Sequence, residues 1–446
     1  MITYQEAREE VIGRMLAASG VPAVDEVSLN EALGRVLAEE IRSDRECPPF
    51  DRSIRDGYAV RAAETGEGVT LRCVGELKAG DRPGVEVTSG NCVQIMTGAA
   101  LPAGADAVIM VEHTQAQGGG GEGKRTGIPA EGRVKKAGRD ERPDGKRTGL
   151  KPGYYERQNE EHGELVTLGR EVKAGQNVVR RGSEAAAGDL AVAARTRMGF
   201  TEIAAAAQVG AARVKVYRKP RIAILSTGDE IVDVAAVPGP FQIRNSNLAS
   251  LAAQVTLAGG EPVGLGNAKD SLEDLREKIA AGLPADMLIL SGGVSMGKYD
   301  LVEPVLREFG AEFVFDAVAI RPGKPVVFAE CDGKPVFGLP GNPVSTMVTF
   351  ELFVRPAIET LSGLAPRGLA FFEALLTVKM EEKPGLTHFL PARVAWKDDA
   401  PHVEPIRWQG SGDIAAMSRA NCLLVVPADR ERMEIGERVR VLMLGR

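Results

Sequence analysis

The opening residues carry apolar side chains at helical spacing. Thr3 precedes Glu6 by three residues, and apolar residues follow at positions 7, 11, 12, 15 and 16. A hydroxyl and a carboxylate at this spacing are typical of a capping box, and the apolar positions share one helix face. The pattern predicts a helix of about four turns here, followed by a second helix over 29–37.

Short apolar runs separated by glycine and proline turns fill 69–111. The runs at 93–96 and 107–111 have the length and composition of strands, so this part is predicted to be small and β-rich. Residues 118–162 differ, because they begin with four glycines and carry scarcely any aliphatic side chains. Such a composition cannot supply a core, and the segment is predicted to be a flexible surface insertion.

Strands and helices alternate over 221–363, after a β-like stretch over 192–216 that centres on 202–204. The predicted strands are 221–225, 262–265, 286–290, 313–320, 326–329 and 336–338. The predicted helices are 248–258, 271–283 with Ser271 as the cap, 300–309 and 343–361. This alternation predicts a mostly parallel sheet in a three-layer arrangement, whose ligands bind beyond the carboxyl ends of the strands.

The tail of the chain alternates apolar and polar residues at period two. The alternation is clearest at 376–380, 393–396 and 438–442, after a Pro-Arg-Gly linker at 366–368. A period of two places successive side chains on opposite faces of a strand. The tail is therefore predicted to be a β-barrel-like domain.

Composition and charge exclude several classes of function. At ~150 residues per domain, 446 residues suggest about three domains. The 55 Lys and Arg against 61 Asp and Glu give a net charge of −6, without the basic excess of a general nucleic-acid binder. Five scattered cysteines and four histidines lack the spacing of a disulfide framework, a zinc site or a His-centred triad. With neither a signal-peptide pattern nor a long apolar run, the protein is expected to be soluble and cytoplasmic, without a membrane or nucleic-acid partner.

Two predicted strands lead directly into polar, glycine-containing loops. The residues that follow or end these strands are Ser226, Thr227, Gly228, Asp229 and Glu230 in one loop, and Ser291, Gly292, Gly293, Ser295 and Asp300 in the other. Glycine allows backbone N–H groups to approach an anion, and hydroxyls add donors. Because both loops end in carboxylates, they predict a phosphate-type site with a divalent cation.

Two further loops add charge to this edge. Asp270 stands at a strand-to-helix turn, where a helix-start role is the simpler interpretation. Arg321 and Lys324 lie on a proline-bounded turn that ends at Pro325, and a second such turn runs from Pro340 through Pro343 to Ser345. Two cations on rigid turns suit an oxyanion. Nucleotide motifs do not explain these loops: the Gly118-x-Gly120-x-x-Gly123 match follows no strand, and Tyr299 replaces the Ser or Thr of a P-loop.

Seven motifs, in order along the chain, resemble those of the molybdopterin molybdenumtransferases, a family that includes the bacterial MoeA proteins and the gephyrin E-domain. They are SIRDGYA at 53–59, IMTGA at 95–99, RRGSE at 180–184, STGDE at 226–230, SGGVS at 291–295, RPGKP at 321–325 and GLPGNP at 338–343. The match covers nearly the whole chain except the insertion.

The resemblance implies a multidomain α/β fold. A three-layer α/β/α, MogA-like molybdopterin-binding domain would comprise 1–26 and 218–363, and a linker β domain 27–50 and 186–217. A small β-rich domain would span 51–185, and a C-terminal β-barrel-like domain 364–446. The resemblance also implies a homodimer whose site is shared between subunits, with a MogA-type adenylyltransferase and molybdoenzymes as further partners.

The family inserts molybdenum from molybdate into adenylylated molybdopterin and releases AMP with Mg²⁺. Matching motifs imply catalytic roles for Asp56, Thr97, Glu184, Glu230, Asp270 and Asp300, the last three as Mg²⁺ ligands. They imply substrate-binding roles for the residues of the loops described above, and a molybdate pocket near Arg321, Lys324, Ser345 and Ser411.

The sequence departs from the family pattern at two places. Ala317 stands where many members have a lysine, and Leu386 lies in a segment where members usually carry an arginine-rich Glu-Phe pattern. Two rival functions remain at this stage. A molybdopterin adenylyltransferase has a similar α/β domain, but it would carry Gly-Gly-Thr-Gly where this chain has Val294 and Ser295. A gephyrin-like scaffold is the other.

Overall fold

The computed structural model describes residues 1–18, 20–117, 163–293 and 301–444. It contains two compact units: Met1–Ile41 with Leu190–Arg446, and Arg42–Asp189. The predicted insertion at 118–162 lies outside the described residues. Within the described ranges, no helix combines the length and the apolar character needed to cross a membrane.

The larger unit is built on a six-stranded sheet. In spatial order its strands are Glu261–Ala268, Arg221–Thr227, Met287–Ser291, Lys334–Leu339, Val327–Cys331 and Glu312–Phe315. Only Val327–Cys331 runs antiparallel to its neighbours. The predicted mostly parallel sheet is therefore confirmed.

Helices cover both faces of this sheet, because its strands are apolar on both sides. Ile222 and Ile224 belong to one buried cluster, with the helices Tyr4–Ala18 and Ser246–Ala258. Ala223 and Leu225 belong to the other, with Leu272–Gly282 and Val302–Glu308. The first cluster also includes one continuous helical segment that comprises Pro343–Thr349, a π-helical turn Phe350–Val354 and Arg355–Leu361. The structure thus has the three layers expected from the sequence.

Local capping accounts for the helix starts. The Glu6 N–H donates to Thr3 Oγ1 at 3.2 Å, and the Thr3 N–H donates to Glu6 Oε2 at 2.8 Å. Ser271 Oγ accepts from the Asp274 N–H at 3.3 Å. Each contact satisfies a backbone N–H near the start of a helix that has no partner within the helix. The capping roles predicted for Thr3, Glu6 and Ser271 are therefore confirmed.

The C-terminal region forms a closed five-stranded barrel. Its strands are Phe371–Leu376, Thr387–Lys397, Ala400–Pro405, Cys422–Val426 and Arg438–Met443, and a short helix, Ile414–Arg419, precedes the fourth. Ile320–Arg321 joins the barrel by parallel pairing with Thr387–Lys397. The predicted barrel is confirmed, although the 376–380 strand is misplaced: one strand ends at Leu376 and the next, Met380–Glu381, pairs with Arg432–Met433.

The smaller unit contains a second six-stranded sheet. In spatial order its strands are Ala107–Met110, Gly57–Val60, Asn91–Ile95, Thr70–Leu77, Glu164–Leu168 and Thr114–Gln117.

Four short strand pairs complete the described sheets of the two units: Val24–Ser28 with Arg213–Tyr217, Ile41–Arg42 with Leu190–Val192, Arg52–Ser53 with Val178–Val179, and Ile231–Val232 with Ile243–Arg244. Single 3-10 turns occur at Ala62–Glu64 and Val111–His113.

Three sequence predictions are wrong in detail. Positions 202–204 lie in the helix Phe200–Gln208, because its alanine-rich sequence favours helix and Glu202 accepts from the Gly199 N–H at 2.9 Å. The predicted 29–37 helix is a single 3-10 turn, Leu29–Ala32, which Gly34 follows at φ +75°. The 313–320 strand is two strands, since the chain leaves the central sheet at Phe315 and joins the barrel at Ile320.

Candidate active site

Three loops meet at the carboxyl edge of the central sheet. They follow the strands Arg221–Thr227, Met287–Ser291 and Lys334–Leu339, which pair in register through Ser226, Ser291 and Leu339. The Gly292 N–H donates to the Leu339 carbonyl at 3.1 Å. A Cβ built on Gly341 would lie 3.6 Å from Gly292 Cα. The loops predicted from their separate motifs therefore form one surface.

Thr227 has a buried hydroxyl beneath the glycines of this surface. Its side chain is only 7% exposed, and Oγ1 has no hydrogen-bond partner among the described residues. A Cβ on Gly292 or Gly293 would lie 2.9 Å from this oxygen, and both glycines have positive φ, at +94° and +65°. The glycines are thus needed for the close approach of backbone to hydroxyl.

Two asparagines that the sequence analysis missed connect the loops. Ser226 Oγ donates to Asn245 Oδ1 at 3.0 Å. Asn247 Nδ2 donates to Ser291 Oγ at 2.9 Å and to the Gly341 carbonyl at 2.8 Å. Asn245 also caps the helix Ser246–Ala258 by accepting from Leu248 N–H. The capping signal was present in the sequence, but nothing local pointed to the distant serines.

Carboxylates lie beside the first of these loops. Gly228 has φ +137°, and a Cβ there would lie 2.6 Å from Glu230 Oε2. The Asp270 N–H donates to Asp229 Oδ1 at 3.2 Å, which brings together the loops after two neighbouring parallel strands. All three carboxylate residues are exposed. Asp300 and Ser295, which belong to the same prediction, lie outside the described residues.

A cavity of about 340 Å³ is lined by the predicted oxyanion residues except Pro343, which begins the helix Pro343–Thr349. Arg321, Lys324, Pro325, Pro340, Ser345 and Ser411 all line it, together with Pro322, Asn342, Leu386, Trp408 and Gly410, which the sequence analysis had not assigned to substrate. We call this cavity the anion pocket. No acidic residue lines it within the described ranges, and neither of its two cations forms an ion pair there. Gly341 lies between the pocket residues Pro340 and Asn342, and its carbonyl accepts from Asn247, so the same loop connects the anion pocket to Asn247.

Close packing fixes the cationic turn of the anion pocket. Gly323 has φ +103°, and a Cβ there would lie 2.5 Å from Thr349 Cγ2. The Val344 N–H donates to the Ser411 carbonyl at 2.9 Å, which connects the helix Pro343–Thr349 to the segment before the barrel helix Ile414–Arg419. Ser345 is buried, at 4% exposure. The pocket is therefore built on rigid elements, which favours precise binding.

A buried histidine lies next to the same turn. His388 is the register partner of Arg321, and its Nδ1 lies 2.9 Å from Glu382 Oε2. Burial lowers the pKa of His388, and the positive charge of Arg321 lowers it further, although Glu382 acts in the opposite direction. The neutral imidazole is favoured, so the positive charge at the pocket comes from Arg321 and Lys324.

The smaller unit holds Asp56 and Thr97 in direct contact. The Thr97 N–H donates to Asp56 Oδ1 at 2.7 Å, and the Thr97 hydroxyl donates to the same oxygen at 2.9 Å. These two hydrogen bonds, the backbone one first, lower the pKa of Asp56. The carboxylate is therefore ionised at neutral pH and fixed in orientation.

Glu184 lies on a neighbouring segment of the smaller unit. Its Oε1 accepts from Arg52 at 2.8 Å, and Cys47 Sγ lies 3.6 Å from Oε2. Arg52 adjoins Ser53, whose carbonyl accepts from the Gly98 N–H at 2.8 Å. The segments that carry Asp56, Thr97 and Glu184 are thus connected by hydrogen bonds. Arg52 was not predicted as part of this group.

Three family models match successive parts of the chain. The MoeA N-terminal region (domain I and II) matches residues 2–210, a model described as "Probable molybdopterin binding domain" matches 223–360, and the MoeA C-terminal region (domain IV) matches 373–444.

Relatives and solved structures are similar over most of their length. The molybdopterin molybdenumtransferase of Bacillus subtilis is 32% identical over 426 residues, 94% of this chain and 89% of its own. That of Nostoc sp. (strain PCC 7120) is 33% identical over 435 residues, 94% and 88%. A crystal structure of the molybdopterin biosynthesis MoeA protein from Pyrococcus horikoshii has a TM-score of 0.70 at 30% identity and covers 99% of both chains. A second one, at 24% identity and a TM-score of 0.74 over 100% of both chains, shows the same fold.

Proposed function

Because the chain belongs to the MoeA family of molybdopterin molybdenumtransferases, we propose that it inserts molybdenum from molybdate into adenylylated molybdopterin, with Mg²⁺-dependent release of AMP. The family inferred from seven motifs is confirmed, and with it a transferase of molybdenum cofactor biosynthesis. The adenylyltransferase and scaffold alternatives are not favoured, since the full-length relatives are molybdenumtransferases.

The anion pocket is the observation that carries this proposal. Arg321 and Lys324 provide two positive charges, and no described acidic residue lines the cavity. Molybdate is a dianion, so the charges match, and charge-assisted hydrogen bonds to an oxyanion are stronger than neutral ones. Ser345 and Ser411 add short polar side chains to the same cavity. We assign molybdate to this pocket.

The pyrophosphate of the adenylylated substrate is assigned to the adjacent loops. The Thr227 hydroxyl and Asn247 Oδ1 are buried and have no partner among the described residues. Such groups are costly unless they bind a ligand or water. In this proposal Thr227 donates to a phosphate oxygen, while Ser226, Gly228, Ser291, Gly292 and Gly293 hold the loop backbone close to it. Asn247 donates to the carbonyl of Gly341, which lies between the pocket residues Pro340 and Asn342; this contact supports phosphate and molybdate subsites that are neighbours.

Carboxylates of two neighbouring loops are proposed to hold a Mg²⁺ ion whose coordination is completed by the substrate. Glu230 and Asp270 are exposed oxygen ligands beside Asp229, with no ion pair in the described part of the chain, and the described residues contain no group of three potential metal ligands. Mg²⁺ typically binds to one or two carboxylates, with water and substrate phosphate as its other ligands. Bound there with Asp300 as a further proposed ligand, it would supply charge neutralisation for the cleaved phosphate bond.

The smaller unit is proposed to supply Asp56, Thr97 and Glu184. Asp56 is held ionised by two hydrogen bonds from Thr97. An ionised, oriented carboxylate can accept a proton from an attacking oxygen or position it. Arg52 orients Glu184. We further propose, from the family resemblance, a four-domain homodimer in which these groups complete the site of the other subunit.

A mixing experiment tests that arrangement. D56N and R321A variants would each be inactive alone, because each lacks one part of the site. Mixed and allowed to exchange subunits, they should regain one complete site of the two in each mixed dimer, about half of the wild-type activity for that species, whereas D56N mixed with itself recovers nothing. A mixture that exchanges subunits and stays inactive contradicts the shared site.

The function itself is tested by AMP release. Purified protein with adenylylated molybdopterin, molybdate and Mg²⁺ should release AMP, and omission of molybdate or chelation of Mg²⁺ should suppress product. R321A should lose this activity, whereas R419A, a charge-matched change on the barrel helix Ile414–Arg419, should retain it. Formation of adenylylated molybdopterin and pyrophosphate from free molybdopterin and ATP, without AMP release from the adenylylated substrate, would instead identify an adenylyltransferase.

A further inference from the structure

An exposed apolar loop projects from the first site loop. It connects the paired strands Ile231–Val232 and Ile243–Arg244. Phe241 is 92% exposed and Val237 is 89% exposed. A large aromatic side chain that is almost completely uncovered often marks a binding surface, especially beside other exposed apolar groups. The described residues therefore leave the apolar side chains of this loop uncovered.

Hydrogen bonds fix the base of this loop to the site. The Ile243 N–H donates to the Glu230 carbonyl at 2.9 Å, and the Asn245 N–H donates to the Val232 carbonyl at 2.8 Å. Two residues of chain span at most about 7 Å, so Phe241 Cα lies within about 12 Å of the Glu230 carbonyl oxygen. The exposed ring and the proposed Mg²⁺ ligand thus belong to one local surface.

The loop presents this ring on an ordered turn. The Gln242 N–H donates to the Gly239 carbonyl at 3.1 Å, and the Gly239 N–H donates to Gln242 Oε1 at 3.1 Å. Arg244 Nε donates to the Ala236 carbonyl at 3.1 Å across the same loop. Because the backbone is already fixed, a ligand that stacks on Phe241 pays little ordering entropy.

We propose that Phe241 is the stacking platform for the adenine base of the adenylylated substrate, which makes it a substrate-binding residue. This inference rests on the proposed function, because the pyrophosphate assigned to the Glu230 loop is linked to an adenosine. A nucleotide whose phosphate lies at Glu230 has its base within reach of the ring. Aromatic side chains bind bases through their π-faces without requiring further polar groups, which fits a loop that offers only apolar side chains at its tip.

The product AMP is the probe for this subsite. Its dissociation constant is measured by calorimetry with Mg²⁺ for the full-length wild type and for F241A, F241L, F241W and F200A. Loss of base stacking costs ~1–3 kcal/mol, so F241A should weaken AMP binding roughly 5- to 150-fold. F241L should also weaken it, because leucine has no π-face, and F241W should retain it. Phe200 is 81% exposed and begins the helix Phe200–Gln208, which is distant in sequence from the loop. F200A therefore serves as the matched control and should bind AMP as tightly as the wild type does.

A second probe separates the base from the phosphate. Ribose 5-phosphate lacks adenine, so F241A should bind it as tightly as the wild type does. Equal AMP affinity in F241A and wild type overturns the inference, and so does equal weakening of both probes. Weaker binding of 6-hydroxymethylpterin with unchanged AMP affinity assigns the ring to the pterin instead. A lower mass of F241A in light scattering would assign it to contact between subunits.

The same measurement distinguishes this inference from the proposed function. If the wild-type protein binds no AMP, both the stacking platform and the proposed function are contradicted, because the proposed product then has no site. If the wild-type protein binds AMP and F241A binds it equally well, only the stacking platform is contradicted and the proposed function stands.

Discussion

Removal of the Lys324 charge is expected to weaken binding of molybdate. K324M keeps a long side chain of similar shape but deletes the ammonium group. In the anion pocket, Lys324 and Arg321 are the cationic lining residues within the described chain, and no acidic residue there offsets them. Deletion of one therefore halves the positive charge that faces the dianion.

The size of the effect follows from this geometry. A hydrogen bond to a charged group contributes about 1.5–3 kcal/mol, so the dissociation constant should rise about 10- to 150-fold. The remaining guanidinium of Arg321 should keep binding detectable. Higher ionic strength should weaken the wild type as well, because part of the attraction is screened.

Calorimetric titration with molybdate, repeated with tungstate, provides the assay. K379M is the matched control, since Lys379 is on the barrel and lies near Glu381 and Glu434 at 3.7 and 3.8 Å. It should leave the affinity unchanged. If K324M binds molybdate like the wild type, or if K379M is equally impaired, the assignment of the pocket is wrong.

Three other changes probe the site and its support. T97V removes one of the two hydrogen bonds that lower the pKa of Asp56, so the acidic limb of the kcat/KM profile should move to higher pH, while T97S should leave it in place. G292A would place a Cβ 2.8 Å from the Thr227 carbonyl oxygen at φ +94° and should lower the free energy of unfolding by about 1–3 kcal/mol. G310A has only the positive φ, with nothing within 4 Å of the added Cβ, so it should lower the midpoint of urea unfolding less than G292A does. F337A removes a fully buried ring stacked 4.8 Å from Phe328 and should cost about 3–5 kcal/mol, seen as a lower melting temperature; an unchanged one would contradict the packing.

The central sheet could be predicted because its signals are local. Buried parallel strands such as Arg221–Thr227 and Met287–Ser291 are continuous apolar runs, and caps such as Ser271 mark where helices begin. Since parallel strands share one carboxyl edge, the loops that carry Thr227 and Gly292 could be expected to meet. The β-like interpretation failed at 202–204, where the alanine-rich sequence and the contact of Glu202 with the Gly199 N–H favour a helix.

The anion pocket needed more than local signals. Arg321 and Ser345 could be singled out by their proline-bounded turns, but Trp408, Gly410 and Leu386 come from the barrel. Their position depends on the pairing of Ile320–Arg321 with the Thr387–Lys397 strand. A two-residue strand has no periodicity to detect, so the sequence predicted one longer strand across 313–320. Asn247 was missed for a similar reason, because its partners Ser291 and Gly341 are distant in sequence.

Molybdenum transfer itself is tested most directly by a single-turnover stoichiometry. Enzyme in excess is incubated with adenylylated molybdopterin, molybdate and Mg²⁺, and the released AMP and the molybdenum bound to molybdopterin are measured in the same sample. The account predicts one AMP for each molybdenum inserted, with neither product formed by R321A. AMP released without molybdenum insertion, or no AMP at all from the wild type, would contradict it.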